Sequence, residues 1–145
     1  MLHIREAAKG DFAAIYMLMK NELGYPDLDE AEAMKRLEYF SLSKDWATFV
    51  ADIDDEVVGF VGVMKGMAYT TDGYYTQIMA LAVSEKSRRS GVGAALVKRA
   101  EEWSLSVGIE DISVSSNERR LDAHAFYSSM GYQQYKKSLL FIKTL

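Results

Sequence analysis

The sequence predicts an α/β domain in which a mixed β-sheet is covered by helices. The chain has 145 residues, of which 49% are hydrophobic, and this length is within the usual ~100–200 residues of one domain. Apolar residues recur at helical spacing near the N-terminus and alternate along the middle of the chain. Helical and strand patterns then follow one another to the C-terminus, which is typical of α/β domains.

The first forty residues are predicted to form a short strand and two helices. The strand is Leu2–Arg5. A helix starts from Asp11, whose side chain suits the cap position, and carries the apolar stripe Phe12, Ile15, Tyr16, Leu18 and Met19. Pro26 lacks a backbone donor and separates this helix from the next one, which is predicted over Asp29–Phe40.

The remaining elements alternate more regularly. Two strands around Asp54-Asp55 form a predicted hairpin. The third strand of this region is apolar on both faces, which favours a central place in a covered sheet. The predicted order of segments is strand Ala47–Asp52, strand Val57–Met64, strand Tyr74–Ser84, helix Gly91–Val107, strand Ile109–Ser115, helix Arg120–Met130 and strand Leu139–Lys143.

The composition excludes several classes of protein. The absence of cysteine excludes disulfide scaffolds, zinc–thiolate sites and cysteine nucleophiles. With only His3 and His124 in the chain, no metal is expected. A net charge of −4 argues against a nucleic-acid partner, and no apolar run approaches the ~20 residues of a membrane span. The N-terminus lacks the pattern of a signal peptide, so we expect a cytoplasmic protein without a membrane partner.

One basic segment stands out in this acidic chain. Residues 86–99 contain five basic residues and no acidic one, and they surround Gly91 and Gly93 at the start of a predicted helix. The first N–H groups of a helix have no internal partner, and glycines let an anion approach them closely. A basic run of this kind can also be an ordinary solvated surface, but its place at a helix start favours an anion site, with a polyphosphate as the ligand.

Two common phosphate-binding motifs do not fit this segment. A P-loop would need G-x-x-x-x-G-K-[ST], which is absent. A dinucleotide fingerprint would need glycine or alanine at position 96, where Leu96 stands.

The segment resembles the acetyl-CoA signature [Q/R]-x-x-G-x-[G/A] of the GNAT family of N-acetyltransferases. Arg88-x-x-Gly91-x-Gly93 fits that signature, and the preceding Leu81-Ala82-Val83 is similar to the family's fourth strand. A second match is the segment from Ala123 to Tyr132, which is similar to A-x-x-F-Y-x-x-x-G-[F/Y]. The order of predicted elements is similar over essentially the whole chain.

The resemblance implies a single acetyltransferase domain over residues 1–145 with a mixed, mostly antiparallel sheet. In that fold the fourth and fifth strands splay apart, and acetyl-CoA lies in the gap. Tyr127 matches the family's general acid, which protonates the thiolate of the departing coenzyme A. The implied cofactor-binding residues are Leu81, Ala82 and Val83 for the pantetheine arm and Arg88, Arg89, Ser90, Gly91, Val92 and Gly93 for the pyrophosphate. Asn117 is a further implied contact, although the family spacing places Arg120 at the position of that asparagine.

Proton transfer is the difficult part of this chemistry. A free tyrosine has a pKa of about 10, and a thiol has a pKa of about 8.5. Passing a proton from the tyrosine to the thiolate is therefore uphill by about 2 kcal/mol, so Tyr127 needs a perturbed site or a concerted transfer. The family often takes the proton of the amine with a glutamate on the fourth or fifth strand. The fourth strand has no carboxylate here, so a water chain near Gln77 or Ser115 is the expected base.

The acceptor is less well defined than the donor. Residues 22–38 carry six acidic and two basic side chains, and in the family this region often walls the acceptor site. It is either an attractive wall for a cationic amine or a solvated helix face. We therefore expect a small-molecule or peptide amine as the acceptor, and a homodimer is compatible with the family. The alternative function is a non-catalytic acyl-CoA-binding sensor or partner module.

Overall fold

A computed structural model describes all residues from Met1 to Leu145. It contains five strands and four α-helices, with two one-turn 3₁₀ helices at residues 9–11 and 85–87. In chain order the elements are β1 (Leu2–Glu6), α1 (Phe12–Asn21), α2 (Glu30–Leu42), β2 (Trp46–Ile53), β3 (Glu56–Gly66), β4 (Tyr75–Val83), α3 (Val92–Ser106), β5 (Ile112–Val114) and α4 (Leu121–Ser129).

The strands form one sheet in the order β1-β2-β3-β4-β5. The first four strands pair antiparallel, and β5 pairs parallel to β4. The turn between β2 and β3 places Asp54 and Asp55 at positive φ, the conformation of a tight two-residue hairpin turn. The predicted fold class and the predicted hairpin are therefore confirmed.

Helices cover both faces of the sheet. Val50, Phe60 and Ala82 lie side by side on three strands and pack in one core cluster with residues of α1 and α2. On the other face, Gly59 lies against Val92 and Leu96 of α3, and the guanidinium of Arg99 stacks 4.2 Å from the centroid of the Phe49 ring.

An ion-pair network ties β1, β2 and the start of α1 together. The Arg5 guanidinium donates to the Asp11 carboxylate at 2.8 and 3.0 Å and to the Asp52 carboxylate at 2.7 Å. Both carboxylates are largely shielded from solvent. The hydrogen bonds from Arg5 lower the pKa of Asp11, because they stabilise its charged form.

The structure corrects the predicted role of Asp11. This residue occupies the cap position of α1, as predicted, but its side chain makes no hydrogen bond to the first turn of the helix. Its carboxylate instead accepts from the Ala8 N–H at 2.7 Å and from Arg5. The guanidinium is a stronger partner than a helix amide, since both groups of that pair are charged.

The chain forms two compact units, Met1–Val114 and Ser115–Leu145. The second unit contains α4, and its remaining residues form no strand, so the predicted strand at Leu139–Lys143 is wrong. Alternation shows only that a segment is able to pair, and a strand also needs an edge to pair with. Leu139, Leu140, Phe141 and Ile142 are all more than four-fifths exposed. That residues 1–145 act as one domain stays a prediction.

None of the four α-helices combines the length and the apolar character that a membrane span requires.

Gly59 permits the close approach of α3 to the sheet. A Cβ at this position would lie 2.9 Å from the Ala82 carbonyl oxygen and 3.1 Å from Leu96 Cδ1. We expect Gly59→Ala to lower the free energy of unfolding by about 1–3 kcal/mol, because the strand backbone must move. In the same strand, a Cβ at Gly62 would meet only the Ala80 Cβ at 4.0 Å. Gly62→Ala should therefore leave stability unchanged or raise it, and equal urea midpoints for the two variants would contradict this account.

Candidate functional site

The carboxyl-terminal half of β4 contains a β-bulge. Gly62 of β3 faces Ala80, and the next residue, Val63, faces Ile78. Met79 is therefore the extra residue of β4, and it is exposed to solvent. A bulge changes the direction in which the following backbone groups point.

Two hydrogen bonds show that change of direction. The Thr76 N–H donates to the backbone carbonyl of Asp111, next to β5, at 3.2 Å. The Ser84 N–H instead donates to the carbonyl of Val58, in β3, at 2.8 Å. Both residues have even numbers, so in a regular strand their N–H groups would point to the same side. Because Met79 reverses the alternation, the N–H groups of Leu81 and Val83 point away from β3.

The same half of β4 has no pairing with β5. The parallel ladder covers only Thr76–Ile78, and β5 ends at Val114. The backbone of Leu81 and Val83 is thus directed to an edge where the fifth strand has ended, as the splayed arrangement requires. An extended ligand with amide groups can bind such an edge as an added strand. Ala82 differs from these two, since its backbone faces β3 and its side chain is buried.

A tight loop joins β4 to α3. Arg88 is extended, Arg89 has φ +63° and Gly91, the residue before α3, has φ +85°. The loop is closed by a hydrogen bond from the Ser90 hydroxyl to the carbonyl of Ser87, which is buried. Positive φ at a non-glycine residue such as Arg89 costs about 1–2 kcal/mol, so the surrounding loop must hold that conformation.

The N–H groups of this loop are free to bind an anion. The Ala95 N–H is the first in α3 to find a partner, the Gly91 carbonyl at 3.0 Å. No hydrogen bond within the protein uses the backbone N–H groups of residues 89–94, and no side chain caps the helix. The glycines at 91 and 93 leave the approach to these groups clear of side chains, and the helix dipole is positive here. We call residues 88–94 the cradle.

The basic residues of the 86–99 segment do not all belong to the cradle. Lys86 forms an exposed ion pair with Glu56, and Arg88 forms one with Glu22. Arg99 stacks on Phe49. Of the two arginines in the cradle, Arg88 thus has an acidic partner and Arg89 has none. The expectation that all five charges gather at one helix start is too broad.

The second unit holds the two other predicted site residues. The Asn117 side chain accepts a hydrogen bond from the Arg119 N–H at 2.9 Å, and its carbonyl accepts from the Arg120 N–H at 3.0 Å. The Asn117 carbonyl also lies 2.8 Å from His124 Nε2. Asn117 thus organises the turn into α4 through its own side chain and backbone.

Tyr127 is a half-buried residue of α4. Its ring packs edge-on against the rings of Phe126 and Tyr132, at centroid distances of 5.3 and 6.0 Å. Burial raises the pKa of Tyr127, and the positive charge of Arg120 opposes this shift. The hydroxyl is therefore protonated at neutral pH, as a proton donor must be.

Sequence reasoning missed two features of this site. The bulge at Met79 leaves no signal, because β4 is apolar on both faces and an extra residue does not disturb its pattern. The contact between Glu22 and Arg88 joins residues 66 positions apart. One hint was available, since an acidic residue at a helix C-terminus is unfavourable unless a cation compensates it.

Comparison with known proteins identifies the family. The sequence model of the Acetyltransferase (GNAT) family matches residues 12–132. The chain belongs to the GNAT family. Its similarity to individual members is low, so the substrates of those members do not transfer with the family.

Several curated relatives of this GNAT protein are N-acetyltransferases. It is 29% identical to the aminoalkylphosphonate N-acetyltransferase of Salmonella typhimurium over 126 residues, 85% of this chain and 77% of that protein. It is 27% identical to the aminoglycoside N(6')-acetyltransferase type 1 of Stenotrophomonas maltophilia over 143 residues, 95% and 90% of the two chains. It is 28% identical to human N-acetyltransferase 8 over 88% of its own length, but this match spans only 57% of the human protein.

Comparison with a solved structure supports the fold but, at low sequence identity, does not show the function. The aminoglycoside N-acetyltransferase AAC(6')-Iy in complex with CoA superposes with a TM-score of 0.90, covering 100% of this chain and 96% of that chain at 16% identity.

The two ends of α3 offer a matched test of the cradle. Gly91 and Gly108 have φ +85° and +80°, and a Cβ at either would have nothing within 4 Å. Both alanine substitutions should therefore cost a similar ~1 kcal/mol of stability through backbone strain. We expect only Gly91→Ala to raise the Kd for coenzyme A in calorimetric titration. A similar rise in the Kd for Gly108→Ala would contradict the prediction, because it would show that the loss of binding does not depend on the geometry of the cradle.

Proposed function

We propose that the protein transfers an acetyl group from acetyl-CoA to a primary amine. The observation that carries the proposal is the cradle, whose unpaired N–H groups come one short turn after the half of β4 that has no partner on its β5 side. An extended arm ending in a diphosphate suits these two adjacent features, since the arm can pair with a strand edge and the diphosphate with free amides. Coenzyme A has that chemistry.

The donor-binding residues follow from the direction of the backbone. The pantetheine arm pairs with the N–H and carbonyl groups of Leu81 and Val83, with Ala82 between them. The diphosphate lies on the N–H groups of Arg89, Ser90, Gly91, Val92 and Gly93, and Arg88 and Arg89 supply positive charge. Asn117 stays a proposed cofactor contact, although its side-chain oxygen already accepts from Arg119.

The reaction proceeds by direct attack of the amine. The amine nitrogen forms a bond to the thioester carbonyl carbon, the C–S bond breaks, and the thiolate takes the proton of the Tyr127 hydroxyl. The N–H of Leu81 stabilises the negative charge that develops on the carbonyl oxygen. With no cysteine in the chain, no acyl-cysteine enzyme is formed.

The raised pKa of Tyr127 constrains how the proton moves. A tyrosine hydroxyl whose pKa is raised by burial is a weaker acid than the thiol that it produces. The proton must therefore move while the C–S bond is breaking, when negative charge gathers on sulfur and favours it. The amine loses its own proton to water near Gln77 or Ser115, because β4 carries no carboxylate.

We propose a small cationic amine or a lysine or N-terminal amine as the acceptor. Within residues 22–38, Glu22 pairs with Arg88, Asp29 caps α2 and Glu32 pairs with Lys35. The other three acidic side chains, Asp27, Glu30 and Glu38, are exposed and form no ion pair. This remaining charge attracts cations, and the aminoglycoside and aminoalkylphosphonate relatives named above support an amine substrate.

An acceptor screen tests the proposal. Thiol release from acetyl-CoA would be measured across a library of amines, including aminoglycosides, aminoalkylphosphonates, polyamines and lysine peptides. We expect release that depends on at least one amine. Tight coenzyme A binding without any acceptor-dependent release would favour the sensor instead. Sedimentation of the same sample would show whether the protein is a monomer or a homodimer.

Removal of the Tyr127 hydroxyl tests its assigned role. We expect Tyr127→Phe to lower kcat by about 10²-fold or more and to leave the Kd for coenzyme A unchanged, because the hydroxyl acts on the leaving thiolate. Tyr135→Phe is the matched control, since Tyr135 is 93% exposed and should retain full activity. An unchanged kcat in Tyr127→Phe would remove this residue from the mechanism.

A further inference from the structure

Glu22 occupies an electrostatically unfavourable place. It is the residue that directly follows α1, where the helix dipole is negative and a carboxylate is disfavoured. Its side chain is only 17% exposed. A largely shielded carboxylate at this position needs strong partners, and it finds both of them in the loop between β4 and α3.

Each oxygen of Glu22 has its own partner. Oε2 accepts from the Arg88 guanidinium, and Oε1 accepts from the Glu85 N–H at 3.3 Å. These two contacts hold the loop at both ends of its 3₁₀ turn, immediately before Arg89 at positive φ. The contact therefore orients the side chain of Arg88 and also ties down the backbone that leads into the cradle.

Glu22 leaves most of the guanidinium available. The contact uses one terminal nitrogen, Nη2, whereas arginine carries five N–H donors in a rigid planar fork. The Arg88 side chain is 54% exposed. Arg88 can thus keep its contact with Glu22 and donate its other N–H groups to a phosphate oxygen, so the carboxylate need not compete with the ligand.

We propose that Glu22 is a positioning residue for coenzyme A: it holds the Arg88 guanidinium and the cradle backbone in the geometry that receives the diphosphate. The inference rests on the proposed function and adds to it a residue outside the family's signature. It also connects the acidic segment 22–38 with the donor site, because Glu22 belongs to that segment and contacts both Arg88 of the cradle and the Glu85 N–H just before it.

A neighbouring ion pair provides the matched control. Lys86 of the same loop pairs with Glu56, and both side chains are about three-fifths exposed. Exposed pairs of this kind contribute little to structure. If any ion pair on the loop served equally well, loss of either pair would have the same effect on ligand binding.

The test is a double-mutant cycle on the full chain, with coenzyme A as the probe in calorimetric titration. The variants are Glu22→Gln, Arg88→Ala, their combination, and Glu56→Gln. Glutamine keeps an oxygen for the Glu85 N–H and removes the charge that holds Arg88. We expect Glu22→Gln to raise the Kd about five- to tenfold and the KM for acetyl-CoA in parallel, with kcat unchanged at saturation. In the Arg88→Ala background the same change should alter the Kd less than twofold.

Other outcomes would overturn the inference in distinguishable ways. A Kd within twofold of the unmodified chain, an equal loss in Glu56→Gln, or an undiminished effect without Arg88 would each remove the positioning role and leave the proposed function intact. Tighter binding in Glu22→Gln would show competition with the ligand. Failure of the unmodified chain to bind coenzyme A would overturn both this inference and the proposed function.

Discussion

The extra residue in β4 controls the geometry of the site. Without the bulge at Met79, the N–H groups of Leu81 and Val83 would point to β3 and be used by the sheet. With it, these groups point to the edge that the short strand β5 leaves after Ile78. The early end of β5 leaves this edge of β4 open, and the bulge decides which residues supply its donors. In a regular strand the N–H groups of Ala80 and Ala82 would face the edge, and the bulge replaces them with those of Leu81 and Val83.

The cradle adds further unpaired N–H groups after the open edge of β4, and its backbone is strained. Arg89 and Gly91 both have positive φ, and no protein group satisfies the N–H groups that follow them. A loop of this kind is unfavourable by itself, and it persists because the surrounding structure holds it. The Ser90–Ser87 hydrogen bond closes the loop from within, and Glu22 holds it from α1. An anion that accepts from the free N–H groups would provide the hydrogen bonds that the protein does not supply.

The rest of the first unit holds the open edge of β4 and the cradle next to each other. Gly59 lets α3 lie close to β3 and β4, so the start of the helix is placed beside the end of the strand. On the other face, the Arg5 network joins β1, β2 and the start of α1, and the residue that follows α1 is the glutamate that contacts the loop. The positions of Arg88 and Glu22 therefore depend on packing on both faces of the sheet.

The fold class, the family and most elements, to within a few residues, could be predicted without a structure. Apolar periodicity and the Arg88–Gly93 and Ala123–Tyr132 motifs are local properties of the chain. The sequence also located the free helix start of α3, which needs only two glycines and a preceding strand. Four features became visible only in the folded chain: the direction of the β4 backbone, the pairing of Glu22 with Arg88, the role of Asp11 and the absence of a strand at Leu139–Lys143. Each of these depends on a partner distant in sequence or on the register between strands, and periodicity carries no information about either.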